Sequence, residues 1–441
     1  MSQCIKFNHS NISNFFMTVI YSKTVRIEND ILEAFSALSL GFSDQFAYYD
    51  KSNKASNRFP ARYLGLGRCV ALDSAKNATY NYDSENSIMP VFFSFNRFDE
   101  KNTKAQDLLM QVFPNVALML PEIVLIQNEQ GNFLQLNSLG PFGNSRIDRF
   151  VSAIRDERST LAARYPIDIP YILEEDDYNP WNDAVAKAKN LIGKTRLDKV
   201  VLSRRIRVLA KSEFEHNDML FNLIFGNTRG IVIMYKYADV VFCGCTPELL
   251  VRQLGTELES MCLAGTSPLE ENDDVAQVSA DLMSDKKNRQ EHAFVVDFIR
   301  SVFDRNCYDV KIPQVPEVLV LPNLVHLMTP ASAKVLSKES VLAIMRELHP
   351  TPALAGFPVG EAIRAIREIE NYNRGFYGGA AGIVHADGSG EFSVALRSGV
   401  FDNHGGWIYA GCGIVEDSDA QCEFQEINQK AKTVLAAFGA Q

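Results

Sequence analysis

Hydrophobic positions recur along the chain with two periods, and the changes from one to the other mark out its elements. Short apolar runs at 18–21, 61–65, 91–95, 122–127 and 133–136 have strand character, with few long helical patterns between them. Beyond Pro180 the pattern sharpens. Val185, Ala188, Leu191 and Ile192 share one face of a helix predicted over 181–192, and 199–208 reads as a strand. Apolar runs at 231–235 and 240–245, separated by 236–239, predict a hairpin. Phe294, Val295, Phe298 and Val302 stand at helical spacing within a long helix expected over 274–304. Pro350, Pro352 and Pro358 mark an irregular loop before a helix at 361–370. Strands are expected over 377–384, 392–401 and 407–415, and a final helix over 420–438. Strands that arrive as hairpins with long helices between them predict a mixed α/β (α+β) fold. Its sheets should be large, mostly antiparallel and flanked by helices, rather than doubly wound.

Turn-rich segments at 137–144 and 166–170, the second running into acidic 174–177, suggest a division of the chain. Residues 1–165 form a strand-rich N-terminal region packing on the remainder, and 175–441 form the second domain. No internal repeat, low-complexity tract or heptad series interrupts this organisation.

Composition narrows the function classes. The chain of 441 residues is 46% apolar and 22% charged, as in an ordinary globular protein. Lys plus Arg is 44 against 54 for Asp plus Glu, a net charge of −10. That balance argues against a nucleic-acid partner, which needs a basic face, and against a polybasic membrane surface. The eight cysteines show no CxxC or Cys/His zinc spacing. Cys243 and Cys245 stand two apart, on one face of the expected strand, as small buried hydrophobes of a reducing compartment. No signal peptide or bilayer-long apolar stretch is seen, so a cytoplasmic protein is expected.

Four groups of residues have the makings of chemistry. On the last helix Glu423, Glu426 and Lys430 lie at i, i+3 and i+7, on one face. They read either as a solvated face with a weak ion pair or as part of a site. The preceding strand carries Gly411 and Gly413, whose backbone N–H groups an anion can approach. Lys287, Glu291 and His292 stand on the long helix, with Glu291 aligned with Phe294 and Phe298. Glu291 either pairs with Lys287 or meets Glu426 across helices to hold a hard divalent cation. Two carboxylates with open positions suit Mg2+. Over 391–401 Phe392, Val394 and Leu396 alternate with Ser393, Ala395 and Arg397, so Arg397 is either an exposed arginine or a bidentate carboxylate binder. Lys199 opens an apolar strand, as an edge-strand lysine or as a desolvated base.

Taken together the chain resembles the chorismate-utilising enzyme family, and within it the isochorismate synthases of menaquinone type. The matching motifs are Lys199-Val200-Val201-Leu202-Ser203-Arg204, Gly244-Cys245-Thr246-Pro247-Glu248-Leu249-Leu250 and Leu263-Ala264-Gly265-Thr266. Lys287-x-x-x-Glu291-His292, His326-Leu327, the His349–Pro358 run, Arg374-Gly375-Phe376-Tyr377-Gly378-Gly379 and Val394-Ala395-Leu396-Arg397 follow in family order. Ala410–Val415 with Glu423, Glu426 and Lys430 completes the set. The N-terminal third matches more weakly, around 64–69 and 93–99.

The resemblance implies a chorismate-binding catalytic domain over 175–441 that converts chorismate to isochorismate with Mg2+. Lys199 is the implied base for an attacking water and Glu248 the acid for the leaving hydroxyl. Glu291 and Glu426 are the implied metal ligands, and Glu423 orients metal-bound waters. Tyr377 and Arg397 are implied to bind the enolpyruvyl carboxylate, Gly411, Gly413 and Lys430 to meet an anion, and His326 to line the ring pocket. Ala264, Gly265 and Thr266 belong to the same site. Ala264 stands where aminodeoxychorismate synthases carry a nucleophilic Lys, and Ala353 where salicylate and anthranilate synthases tend to have Thr. Burial is expected to shift the Lys199 and Glu248 ionisations in opposite directions. Cys412 replaces a more usual Ala, and Asn96-Arg97 is assigned no function. No glutaminase subunit is expected. The rival readings are a salicylate synthase, an isochorismate synthase of a catechol siderophore pathway, and a silent chorismate-binding subunit.

Overall fold

The structure is a computed structural model that describes residues 18–51, 62–82, 88–156, 161–174, 178–226, 229–270, 272–321, 324–336 and 340–439. Cys4, Ala61 and residues 175–177 of the acidic stretch lie outside the described residues.

Two large sheets dominate, one of thirteen strands and one of ten. Their pairings are antiparallel except between Thr18–Ile27 and Ala78–Tyr82. The fold is therefore the mixed α/β type expected, with helices flanking antiparallel sheets. Strands from the first 165 residues enter both sheets. Gln45–Asp50 pairs with Ile231–Tyr237 in the larger, and Val91–Phe95 with Ala380–His385 in the smaller.

Period-two patterning explains how the sheets are buried. On Ile231–Tyr237, Ile231, Ile233 and Tyr235 point into an aromatic layer shared by the two sheets, while Val232 and Met234 point into the other core. Phe46 stacks between Phe93 of the smaller sheet and Tyr235 of the larger, at 5.3 and 5.0 Å between ring centres. In the hairpin partner Val240–Thr246, Cys243 and Cys245 share one face and are both buried, as the spacing predicted.

Three expectations need correction. The helix over 274–304 is two helices, Val275–Ser284 and Lys286–Asn306. Asp285 breaks it: extended in backbone, it closes the first helix, and its carboxylate accepts from the Asn288 N–H to start the second. The strand over 392–401 is also two strands. Gly390–Val394 belongs to the ten-stranded sheet and Ser398–Asp402 to the thirteen-stranded sheet, so alternation does not run through Ala395–Arg397. The strand placed at 377–384 runs from Ala380 to His385, leaving Tyr377 in the preceding turn. The last helix, Ala420–Leu435, is capped by Asp419, whose carboxylate accepts from the N–H groups of Gln421 and Cys422.

Candidate active site

Twice the chain crosses from one sheet to the other beside the same cavity. The first crossing follows Val240–Thr246 of the large sheet, where Pro247 and Glu248 lead into Leu249–Leu254 of the small one. The second is Ala395–Arg397. There Arg397 takes a left-handed backbone, φ 49°, and its carbonyl accepts from the Cys245 N–H. A Cβ on Gly244 would collide with that carbonyl and with Ser398, so the close approach requires glycine there. Between the crossings lies a cavity of about 200 Å³, and every residue singled out from the sequence as a site candidate lines it.

Lys199 opens the strand Lys199–Ala210, which runs between Gly405–Ile414 on one side and Gly356–Phe357 on the other. It is therefore an interior lysine, 3% exposed, and not one at a sheet edge. Alternation turns Val200 and Leu202 into the core and Lys199 and Val201 toward the cavity. Its Nζ lies 3.4 Å from the Glu291 carboxylate. Lys287 does not pair with Glu291 as the helical spacing allowed; it reaches Glu423, 3.5 Å away on the last helix. Lys430 donates to Glu426 at 2.6 Å and to the Gly411 carbonyl at 3.1 Å. Three carboxylates, each against a lysine, thus border one end of the cavity. Burial pushes the Glu426 carboxyl up, but the charge and hydrogen bond of Lys430, with Lys287 and Lys199 beyond, outweigh it and hold the group below its usual range. Glu291 sits at the flank of its helix rather than on the buried face, which is formed by His292, Val295, Ile299 and Val302. His292 anchors that helix through Ala264 O and Thr329 Oγ1.

Glu248, 3% exposed, has the opposite environment. Burial drives its carboxyl from 4.5 to about 8, against a weaker lowering pull from Arg397. It is a neutral acid at pH 7. Arg397 is half-buried and, among the described residues, is in no salt bridge. A guanidinium with no fixed carboxylate is available to a ligand's. Ala264, Gly265 and Thr266 line the cavity where a bulge breaks the pairing of Glu257–Pro268 with Leu324–Val335. Gly265 takes φ 81° there. Thr266 stands opposite His326 and bonds it at 2.9 Å.

Gly411 and Gly413 lie past the end of Ser398–Asp402 pairing, which stops at Tyr409, so one side of their strand is open. Opposite them, Ser203 N–H bonds Glu370 and Val201 N–H bonds Ala355, turning away from the glycines. Those are non-hydrogen-bonded pairs, so both glycine N–H groups face the open side. Their missing side chains matter as well. A Cβ on Gly413 would stand 2.5 Å from the Lys199 Cε, and one on Gly411 3.2 Å from the Tyr377 hydroxyl. Tyr377 stacks on Tyr409 at 5.3 Å.

Ala353 reaches the cavity from the His349–Pro358 loop, held there by a residue that was not among the site candidates. Arg374, 3% exposed, donates to both oxygens of Glu370 and to the carbonyls of Leu354 and Val201. Glu370 in turn accepts from the N–H and hydroxyl of Ser203. One buried ion pair thereby ties the Lys199 strand, the Ala353 loop and the Tyr377 turn together. Its only signal in the sequence was the Arg374–Gly379 motif. Lys287, expected only as a possible partner of Glu291, and Tyr409, given no role, also line the cavity. Asn96 and Arg97 bond Ser94, Ala380, Gln106 and Phe113, outside the cavity lining.

Comparisons with known proteins agree with this geometry. The family model described as chorismate binding enzyme matches residues 30–439. The isochorismate synthase MenF of Bacillus subtilis is 30% identical over 380 residues, 82% of this chain and 79% of its own. The vibriobactin-specific isochorismate synthase of Vibrio cholerae is 35% identical over 266 residues, 59% of this chain and 66% of its own. The solved structure of MenF, the menaquinone-specific isochorismate synthase of Escherichia coli, superposes with a TM-score of 0.77. It is 22% identical and is matched over 95% of this chain and 94% of that one, a likeness of fold. The chain belongs to the chorismate-binding enzyme family.

Proposed function

We propose that this protein is an isochorismate synthase that interconverts chorismate and isochorismate by adding water at ring C2 and releasing the C4 hydroxyl. The observation that carries the reading is the neutral acid Glu248 in the same cavity as the amine of Lys199, with only the methyl group of Ala264 where a side-chain nucleophile would act. Lys199 takes a proton from the attacking water as the C2–O bond forms. The two ring double bonds shift, the C4–O bond breaks, and Glu248 gives the departing hydroxyl its proton. One water enters and one leaves, so no acyl or phosphoryl intermediate is needed. Arg397 and Tyr377 hold the enolpyruvyl carboxylate, and the Gly411 and Gly413 N–H groups with Lys430 meet a second anionic group.

The donor set fits a magnesium ion. Glu291, Glu423 and Glu426 offer oxygen alone and border one cavity. Among the described residues no three of His, Cys, Asp and Glu, these carboxylates included, stand close enough together to hold a metal ion by themselves. That suits a cation content with one or two carboxylates plus water. Glu291 and Glu426 would hold it and Glu423 would orient its waters; bound there, it supplies positive charge against the ring carboxylate.

The menaquinone pathway is the one named for the Escherichia coli structure, and this chain is proposed to serve it, in the cytoplasm and without a glutaminase subunit. No helix among the described residues is long and apolar enough to cross a membrane. Purified protein given chorismate and Mg2+ should yield isochorismate by chromatography and lose turnover on chelation. Salicylate with pyruvate as main products would reject the assignment in favour of a salicylate synthase, and no turnover would favour a silent binder.

A further inference from the structure

His326 hydrogen-bonds at both ring nitrogens, and its partners decide its chemistry. Nε2 lies 3.1 Å from Nη2 of Arg397, and a guanidinium can only donate. Nε2 is therefore the acceptor, and the ring's proton sits on Nδ1, 2.9 Å from Thr266 Oγ1. A second proton would point Nε2–H at the guanidinium. Burial, with Arg397 and Lys430 nearby, pushes the imidazolium down to about 3, so the ring stays neutral in the working range of pH. A ring with no free lone pair and no titration near neutrality has no proton to exchange with substrate.

What it does have is a hold on Arg397. Among the described residues no other side chain is hydrogen-bonded to that guanidinium, and no carboxylate pairs with it. The backbone beneath is fixed in the left-handed region by the approach to Gly244. The side chain is fixed by His326, itself seated by the Thr266 bulge. We infer that His326 is a positioning residue: its neutral Nε2 aims the Arg397 guanidinium, leaving the other donors of the fork toward the cavity for a substrate carboxylate. This rests on the proposed reading of Arg397 as the carboxylate binder.

Substitution separates the two ring nitrogens. Glutamine places an amide oxygen near the Nε2 position and asparagine an amide near Nδ1. His326→Leu should raise KM for chorismate about tenfold or more, the loss of one charged hydrogen bond, with a smaller fall in kcat. His326→Gln should recover most of that KM, and His326→Asn should behave like the leucine variant. Should the leucine protein not fold, the Gln and Asn pair decides alone. Gln and wild type should share one pH–rate profile below pH 8; a limb lost with the histidine would make it an acid–base group and overturn the inference, as would Gln no better than Leu. Nitrogen NMR of histidine-labelled wild type, with the His326 signals identified by their absence in His326→Gln, gives a readout without turnover. The Nδ1–H tautomer should persist unchanged from pH 5 to 8, and an Nε2–H or charged ring would refute the inference even if chorismate were not the substrate.

Discussion

Glu248→Gln should abolish turnover and stabilise the protein. In the folded chain burial raises the Glu248 carboxyl from 4.5 to about 8. Between those values the native state keeps a proton that the unfolded chain has released, so the folded state loses ground as pH rises above 4.5, until both forms are ionised above about 8. From 4.5 to pH 7, at about 1.4 kcal/mol per pH unit, the cost is about 3 kcal/mol. Glutamine has the shape of the neutral acid and no proton to lose, so it removes that cost. With an unfolding entropy of about 2 cal/mol/K per residue, a chain of this length gains about 1 °C per kcal/mol, or about 3 °C at pH 7. Thermal melts of both proteins at pH 5, 6, 7 and 8 test this, with turnover measured beside them. The gain should grow with pH and nearly vanish at pH 5. A gain independent of pH, or a less stable variant at pH 7, would refute a neutral buried acid at this position.

In the wild type the same ionisation should set the alkaline limb of kcat/KM, which falls above pH about 8 as Glu248 loses its proton; activity undiminished well beyond that pH would exclude it as the acid. Gly413→Ala would press a methyl group against the flexible end of Lys199 and the Glu291 carboxylate. Turnover should fall about a hundredfold with stability nearly unchanged, as kinetics and melts on one preparation will show. Arg374→Met leaves Glu370 buried and unpaired and should cost about 3–5 kcal/mol in denaturant unfolding, with part recovered in Arg374→Met/Glu370→Gln; an unchanged midpoint would mean the pair does not brace the site.

Much of the site was legible because its residues lie on elements of regular period. The last helix places Glu423, Glu426 and Lys430 on the cavity side by spacing alone, and the Lys199 strand does the same by alternation. What period could not supply is the pairing across elements. Lys287 has Glu291 one turn away, yet its partner is Glu423 on another helix, since only the packing of the two helices brings that carboxylate within reach. Arg397 was read by continuing an alternation that ends at Val394, where the chain changes sheets; it reaches the cavity through a left-handed turn instead. The break at Asp285 was missed because apolar spacing continues on both sides of it, while the capping carboxylate was there to be read. The Arg374–Glu370 pair had no signal in hydropathy, because an internal salt bridge in a loop looks like any other charged spacing.

In the proposed reaction water, rather than a migrating hydroxyl or a protein side chain, forms the new bond. Converting chorismate in water enriched in oxygen-18 and weighing the isochorismate tests it most directly. With Lys199 as the proposed base and Glu248 as the proposed acid, one solvent oxygen is expected in the product, at C2, giving a mass two units higher. Isochorismate formed at the unlabelled mass would show that the hydroxyl migrates and that no water is added.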